Sequence, residues 1–383
     1  MTRRILFVDH AAGLGGAERS LLLLLRTLDQ TRIKPHLATV EGDLAAEARH
    51  LGVPVHIVPL PRLRNPLRFF LDWHIGSWGL VHVARAIEAD ALYANTVRAA
   101  MFAAPASRIA RRPFIWHMRD FWLSESRPRF TWADTLIKRA LCATARLVIA
   151  NSHATAAYLP CANTAQVVYN GLAADAFAQD PAWRETFRRQ HHIPPNAPLV
   201  GMVGRLRPWK GAHRFVEIAA HVHAHRPDVH FVIVGGTPLT RDMEYPRFVR
   251  ARVAEHGLTR FIHFTGHLTD VRPALAAMDI FVHPGDPEPF GMVVLEAMAA
   301  GKPVVAFAHG ALPELVEHEQ TGILVPPTES SAAANAILAL LEQPERAHAL
   351  GVAGRERARN TFSIETTATR IATLLEEATG AHR

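Results

Sequence analysis

Twelve short apolar runs, most of them separated by helical patterns, recur from one end of this 383-residue chain to the other. In the first half they are Ile5 to Val8, Pro35 to Val40, Val55 to Val58, Ala91 to Ala94, Pro113 to His117 and Leu147 to Ala150. In the second they are Leu199 to Val203, Phe231 to Val234, Ile262 to Thr265, Ile280 to His283, Val304 to Phe307 and Ile323 to Val325. Runs this short and this uniformly apolar suit strands buried on both faces. Their alternation with helices implies parallel sheets. The rhythm occurs twice, so the expected fold class is α/β with two doubly wound, Rossmann-like domains.

The rhythm lapses between Asn170-Gly171 and Leu199, where the chain reads A-A-D-A-F-A-Q-D-P-A-W and then H-H-I-P-P-N-A-P. Proline and polar residues there indicate a linker. The expected domains are 1–175 and 176–361, with a terminal amphipathic helix in 362–383. A chain of this length supports two cores, and 49% apolar with 20% charged residues is the balance of a globular protein.

Composition also excludes several classes. Cys142 and Cys161 are too few for a disulfide framework and lack metal-ligand spacing, which makes a reducing compartment the default. The N-terminus enters a strand directly, without a cleavable apolar segment. The run Leu21 to Leu25 is far short of the roughly 20 residues that span a bilayer. A cytoplasmic protein is expected, with peripheral attachment to the membrane's inner face as the variant of that expectation. Residues 1–180 hold 21 Lys plus Arg against 14 Asp plus Glu, whereas the remainder is balanced. That excess suits an anionic partner such as a membrane surface, a lipid-linked acceptor or an acidic glycan. Nucleic acid is not expected, because no zinc finger, RNA-binding aromatic motif or arginine-rich tail accompanies the charge.

The most informative stretch is H283-P-G-D-P-E-P-F-G-M-V-V-L-E-A-M-A-A-G-K-P-V-V-A306. Pro289 and Gly291 make a turn before a helix over Met292 to Ala300. The helix start at Phe290, Gly291 and Met292 presents backbone N–H groups that attract phosphate. Glu288 precedes the helix and Glu296 falls in its second turn, giving two acceptors for hydroxyl pairs on either side of the anion site. The second domain opens with V203-G-R-L-R-P-W-K-G211, where Arg205 can fork onto diphosphate oxygens and Lys210 adds a point charge.

After the first strand, D9-H-A-A-G-L-G-G-A-E-R-S20 places Gly15 and Gly16 at a helix start, where backbone can approach a ligand closely. Read as a dinucleotide fingerprint the loop is incomplete, since Glu18 occupies the third glycine position. His117 ends the strand P-F-I-W-H, a position that favours a ligand-facing role. His221, His223 and His225 lie at a helix C-terminus, and no carboxylate or cysteine completes a metal site. The segment 61–78 mixes Arg62, Arg64 and Arg68 with Phe69, Phe70, Trp73 and Trp78, a pattern suited to an anionic lipid interface.

Together, G13-L-G-G-A-E18, Asn170-Gly171, G204-R-L with K210-G, the Glu288-to-Glu296 stretch, G310-A-L-P-E and T321-G-I-L-V-P resemble retaining glycosyltransferases of family 4. The resemblance implies the GT-B fold, with two domains facing across a cleft and the terminal helix crossing back to the N-terminal domain. It further implies a nucleoside diphosphate sugar as donor, with Arg205 and Lys210 on the phosphates, Glu296 on the ribose and Glu288 on the sugar. Gly15, Gly16 and His117 would meet the donor and the reacting region. Arg119 and Asp120 depart from the family's commonest form around that histidine. Asn170-Gly171 serves a structural or a ligand-facing role. The expected function is metal-independent transfer of a hexose-type sugar to a lipid-linked or cell-envelope glycan, with no cofactor and no D-x-D pair. The alternatives are a sugar-nucleotide epimerase or phosphorylase-like enzyme of the same fold, a non-catalytic nucleotide- or glycan-binding protein, and an oxidoreductase using the first glycine loop.

Overall fold

The computed structural model describes residues 2–61, 68–122, 131–178, 180–236 and 243–380. The chain divides into two compact units, one of residues 1–171 with 362–383, the other of residues 172–361. The division falls at Gly171–Leu172 rather than at 175–176.

Unit 1 holds strands β1 (Arg3–Val8), β2 (Ile33–Thr39), β3 (Val55–Ile57), β4 (Ala91–Ala94), β5 (Phe114–Met118), β6 (Leu147–Ala150) and β7 (Gln166–Val167). All pair in parallel, in the order β3-β2-β1-β4-β5-β6-β7. Its helices are α1 (Gly16–Thr27), α2 (Asp43–His50), α3 (Phe69–Ala86), α4 (Val97–Ala110), α5 (Thr131–Thr144) and α6 (His153–Ala156). Successive side chains of a strand point to opposite faces, and the two cores follow that rule. Ile5 and Phe7 join the cluster that contains Leu21, Leu24 and Leu25 of α1. Leu6 and Val8 join the cluster of Leu80, Phe102 and Leu141 from α3, α4 and α5. Strand β7 escaped the sequence reading because it is two half-buried residues long.

Unit 2 holds helices α7 (Pro181–Gln190), α8 (Ala212–His225), α9 (Glu244–Glu255), α10 (Arg272–Ala277), α11 (Met292–Ala299), α12 (Leu312–Leu315), α13 (Ser330–Glu342) and α14 (Pro344–Thr361). They cover a parallel sheet of β8 (Leu199–Val203), β9 (His230–Val234), β10 (Ile262–Gly266), β11 (Ile280–His283), β12 (Val304–Phe307) and β13 (Ile323–Val325), ordered β10-β9-β8-β11-β12-β13. The stretch expected to be a linker contains α7. Its start was legible, since the Asp180 side chain accepts from the Ala182 N–H and Pro181 opens the first turn. The final helix, α15 (Ile364–Gly380), places Ile371 and Leu375 in the α1-side core of unit 1. Gly171 explains why the return is so tight: a Cβ there would lie 2.4 Å from the Ile364 Cα.

Cys142 of α5 and Cys161 form a disulfide with a Cα–Cα distance of 6.0 Å. A single staple across a separation of 19 residues has no sequence signature of its own.

Candidate functional site

Each sheet reverses its strand order once, between β1 and β4 in unit 1 and between β8 and β11 in unit 2. Ligands of doubly wound sheets bind outside the carboxyl ends of the strands at such a point. In unit 2 the segments leaving β8 and β11 carry Arg205, Lys210 and Glu288.

Glu288 is held there by its backbone. Its carbonyl accepts from the Ala311 N–H at 2.9 Å, and Gly310, at φ +57°, lies so close that a Cβ would sit 2.5 Å from the same oxygen. The segment before it is fixed by Arg214, which donates to the Pro284 carbonyl at 2.9 Å and to Asp286 at 2.6 Å. The Lys210 ammonium donates to Glu288 Oε1, and His283 Nε2 stands 3.4 Å from the same oxygen. The side chains of Lys210 and Glu288 are only 20% and 13% exposed. Burial pushes the Glu288 pKa upward, but the Lys210 charge and then the His283 ring outweigh it and hold the group well below the usual carboxylate range. Glu288 is thus a fixed anion beside a fixed cation.

Gly211 sets the position of Lys210. It follows the 3₁₀ turn Pro208–Lys210 at φ +75°, and a Cβ there would lie 2.0 Å from the Pro284 carbonyl oxygen. Both the left-handed backbone and the close approach require glycine. Gly211→Ala is therefore expected to destabilise the protein by about 2–3 kcal/mol, visible as a lowered denaturation midpoint with an unchanged slope on denaturant. Wild-type stability in that variant would contradict the packing described.

Helix α11 begins where the motif placed it. Phe290 is buried at 3% exposure and anchors the turn. Gly291 adopts φ +97° as N-cap, Met292 is half-buried, and Glu296 occupies the second turn, half-buried. Arg205 is exposed just past β8. Sequence alone did not pair Lys210 with Glu288, nor did it single out His283.

In unit 1 the corresponding end of the sheet carries a buried polar network. Asp9, directly after β1, accepts from the Ala11 N–H at 2.9 Å and from Asn95 Nδ2 at 2.7 Å. Arg119, 5% exposed, donates to Asn95 at 2.7 Å, Ser20 at 2.9 Å and Asn170 at 2.6 Å. Asn170 is thereby part of the scaffold. The buried residues Asp9, Asn95 and Arg119 each follow a strand by one residue, which is the signal that would have found them.

His117 is 1% exposed, and its Nδ1 meets the Tyr93 hydroxyl. Burial, then the Arg119 charge, lowers the His117 pKa, whereas burial raises that of Tyr93 to about 12. The ring is neutral and the phenol protonated, so Tyr93 donates to Nδ1 and the imidazole proton resides on Nε2. Nε2 has no hydrogen-bond partner among the described residues. Gly15 caps α1, and its N–H donates to the Glu18 carboxylate at 2.8 Å. A Cβ on Gly15 would collide with that carboxylate at 2.7 Å, whereas one on Gly16 would meet nothing within 4 Å. A side chain at Gly15 would have to displace the Glu18 carboxylate, whereas the described residues leave the space beside Gly16 open.

Asp9 yields a pH prediction. Burial, then the Glu18 charge, raises its pKa to about 7 from 3.8. The folded protein binds the proton more tightly than the unfolded chain, so this contribution to stability is complete below pH ~4 and is lost as pH rises through ~7. Between pH 5 and 8 the Asp9 contribution falls while the histidines whose pKa burial lowers contribute in the opposite sense, so Asp9→Asn should shift the slope of unfolding free energy against pH in the positive direction relative to wild type. An identical slope in both proteins would contradict the assignment.

The terminal histidines of α8 have local partners, with His221 Nε2 3.2 Å from Asn335 and His225 Nδ1 3.0 Å from the His221 carbonyl. Of the segment 61–78, Arg62 and Arg64 lie outside the described residues. Trp73 is half-buried and donates to the Met101 carbonyl at 2.7 Å, while Phe70 is 70% and Trp78 53% exposed.

The comparisons with known proteins bear on both units. Residues 14–176 match the family described as Glycosyltransferase Family 4, and residues 184–357 match Glycosyl transferases group 1. The lipopolysaccharide core biosynthesis mannosyltransferase LpsB of Rhizobium meliloti is 34% identical over 262 residues, 68% of this chain and 72% of that protein. The chain belongs to the family 4 glycosyltransferases. A GDP-mannose-dependent alpha-(1-6)-phosphatidylinositol monomannoside mannosyltransferase of Mycobacterium tuberculosis is also 34% identical, over 54% of each chain. Among solved structures, Anabaena HepE in complex with UDP and glucose superimposes with a TM-score of 0.84 at 30% identity, covering 97% of this chain and 99% of that one. Sucrose-phosphate synthase from Thermosynechococcus elongatus, 22% identical, gives a TM-score of 0.84 over 99% of this chain and 100% of its own, a likeness of fold. This glycosyltransferase therefore has the GT-B fold, built from two parallel-sheet, Rossmann-like units. No helix among its described residues is long and apolar enough to cross a membrane.

Proposed function

We propose that this glycosyltransferase moves a hexose from a nucleoside diphosphate sugar to a lipid-linked or cell-envelope glycan acceptor, with retention at the anomeric carbon and without a metal ion. The observation that carries the reading is the Lys210–Glu288 ion pair at the strand reversal of unit 2, with the amino end of α11 following directly. Unit 2 is the donor side. Arg205 and Lys210 hold the diphosphate, joined by the amides at Gly291 and Met292 behind the Phe290 anchor; Glu288 holds sugar hydroxyls and Glu296 the ribose. Unit 1 is the acceptor side. His117 offers its Nε2–H to an oxygen of the transferred sugar, and Gly16, with Gly15 beside it, leaves room for ligand against the backbone.

In the reaction, the acceptor oxygen bonds to the anomeric carbon on the face from which the diphosphate departs. The bond from that carbon to the phosphate oxygen breaks with its electron pair on the diphosphate. The acceptor's hydroxyl proton passes to a phosphate oxygen. Arg205 and Lys210 meet the charge that develops on the leaving group, the role a divalent ion plays where a D-x-D pair is present. HepE's complex with UDP and glucose, and the GDP-mannose dependence in the mycobacterial relative's name, support a nucleoside diphosphate hexose as donor. An anionic membrane surface as partner follows from the basic first half of the chain.

The test uses UDP-glucose and GDP-mannose with water as acceptor, in EDTA, and proton NMR to identify the anomer released first. Release of the α-hexose at a rate unaffected by EDTA is expected. First release of the β-hexose would refute retention, and activity restored only by a divalent ion would refute metal independence.

A further inference from the structure

We propose that unit 1 carries a phospholipid-headgroup site at the amino ends of β5 and β6, through which it docks on an anionic bilayer. This rests on, and gives a location to, the membrane reading above. An open depression of about 610 Å³ is lined by Ser107, Arg108, Arg111, Arg112 and Arg146, together with Pro113, Phe114 and the end of α5 at Thr144 and Ala145. No carboxylate lines it, and none of the four arginines has an ion-pair partner among the described residues. The dipole at the end of α4 accounts for cations at Arg108 and Arg111. It does not account for Arg112 or for Arg146, which enters from a different segment. Arg111 also adopts φ +54°, a left-handed helix end where glycine is usual.

A second observation fixes the kind of partner. The depression shares Arg108 and Thr144 with an apolar groove of about 340 Å³ lined by Phe69, Phe70, Trp73, Met101, Ile137 and Leu141 among others. Of the groove's lining, Phe70 is 70% exposed, and the helices that supply the lining also carry Trp78 at 53%, Trp132 at 67% and Leu136 at 59% exposure. Of the twelve large apolar side chains exposed among the described residues, seven lie on α3, α4 and α5. Unpaired guanidinium groups beside exposed aromatic and aliphatic side chains match the phosphate and glycerol–acyl layers of a bilayer. A soluble anion would use only the first half of this surface. Phe114 lines the depression and His117 lies three residues further along β5, about 10 Å at the usual rise per residue. Docking at this end therefore leaves the carboxyl ends of the strands uncovered.

The experiment is vesicle flotation of the full chain at 0.15 M salt, with phosphatidylcholine alone and with 30% phosphatidylglycerol. Three proteins are compared: the wild type, Arg111→Gln/Arg112→Gln/Arg146→Gln, and Phe70→Ser/Trp132→Ser. Thermal unfolding with UDP and GDP is run in parallel, so that loss of the donor site and loss of docking are read separately. The wild type should bind the phosphatidylglycerol vesicles and not the neutral ones, at least tenfold more tightly than either variant, with nucleotide-induced stabilisation retained in all three. Equal binding to both vesicle types, triple-variant binding equal to wild type, or preference for an RNA oligonucleotide over the anionic vesicles would each overturn the proposal.

Discussion

Replacing Lys210 by alanine is expected to lower the transfer rate about 10²–10³-fold, the usual cost of removing one preorganised group that meets charge on a leaving group. Stability should fall as well, by about 2 kcal/mol, because removing one member of a mostly buried pair leaves the other charge desolvated and uncompensated. The two effects separate by pH. In the wild type, Glu288 is depressed below the usual carboxylate range, so its contribution to stability is present above pH ~4.5 and is lost only as pH falls through the lower folded value. Without Lys210 the burial that pushes Glu288 upward is opposed only by the His283 ring, and acid unfolding should begin at higher pH. Glu288→Gln, which keeps Lys210, should lose transfer without that shift. A Lys210→Ala protein with wild-type turnover and an unchanged acid limb would remove the pair from both roles.

The second large effect is expected at Arg119. Its guanidinium ties Asn95, Ser20 and Asn170 together beside Asp9 and Tyr93, and Arg119→Ala strands three buried polar partners at once. We expect a loss of about 3–5 kcal/mol in unfolding free energy. Arg119→Lys should recover only part of it, since an ammonium cannot reproduce the planar fork that reaches three acceptors. Denaturant unfolding of both variants measures this directly. A loss below ~1 kcal/mol in the alanine variant would mean that the network is solvated. His117 should remain neutral in either variant, because burial is the larger cause of its lowered pKa and the Arg119 charge the smaller.

These two sites differ in how far the sequence disclosed them. The donor-side motif was legible because Glu288, Phe290, Gly291, Met292 and Glu296 lie within one loop and the helix it opens. Spacing alone therefore places them around the start of α11. Lys210 was visible as a cation, but its partner is 78 residues away, and only the β8–β11 adjacency reveals the pair. The network of Asp9, Tyr93, Asn95, His117, Arg119 and Asn170 draws one residue from the end of β1, two each from β4 and β5 with the positions just after them, and one from the segment after β7. No local pattern joins them. The strands were read from apolar runs that parallel sheets bury on both faces, and the misses fall where that signal fails. β7 is too short to show it, and α7 is too polar, exposing most of its surface behind a recognisable Asp180-Pro181 start. The Cys142–Cys161 pair was hidden because proximity in space, not spacing, decides it.

The central claim is that unit 2 binds a nucleoside diphosphate through Arg205, Lys210 and Glu296. The measurement that tests it most directly is thermal unfolding of the protein with UDP, GDP, ADP, CMP or NAD, alongside Arg205→Ala and Glu296→Ala. A ligand at a hundred times its dissociation constant adds about 2.7 kcal/mol of stability. Selective stabilisation by one nucleoside diphosphate, lost in both variants, is the predicted result and would name the donor base. Stabilisation by NAD alone, or a nucleotide shift undiminished in both variants, would contradict the account.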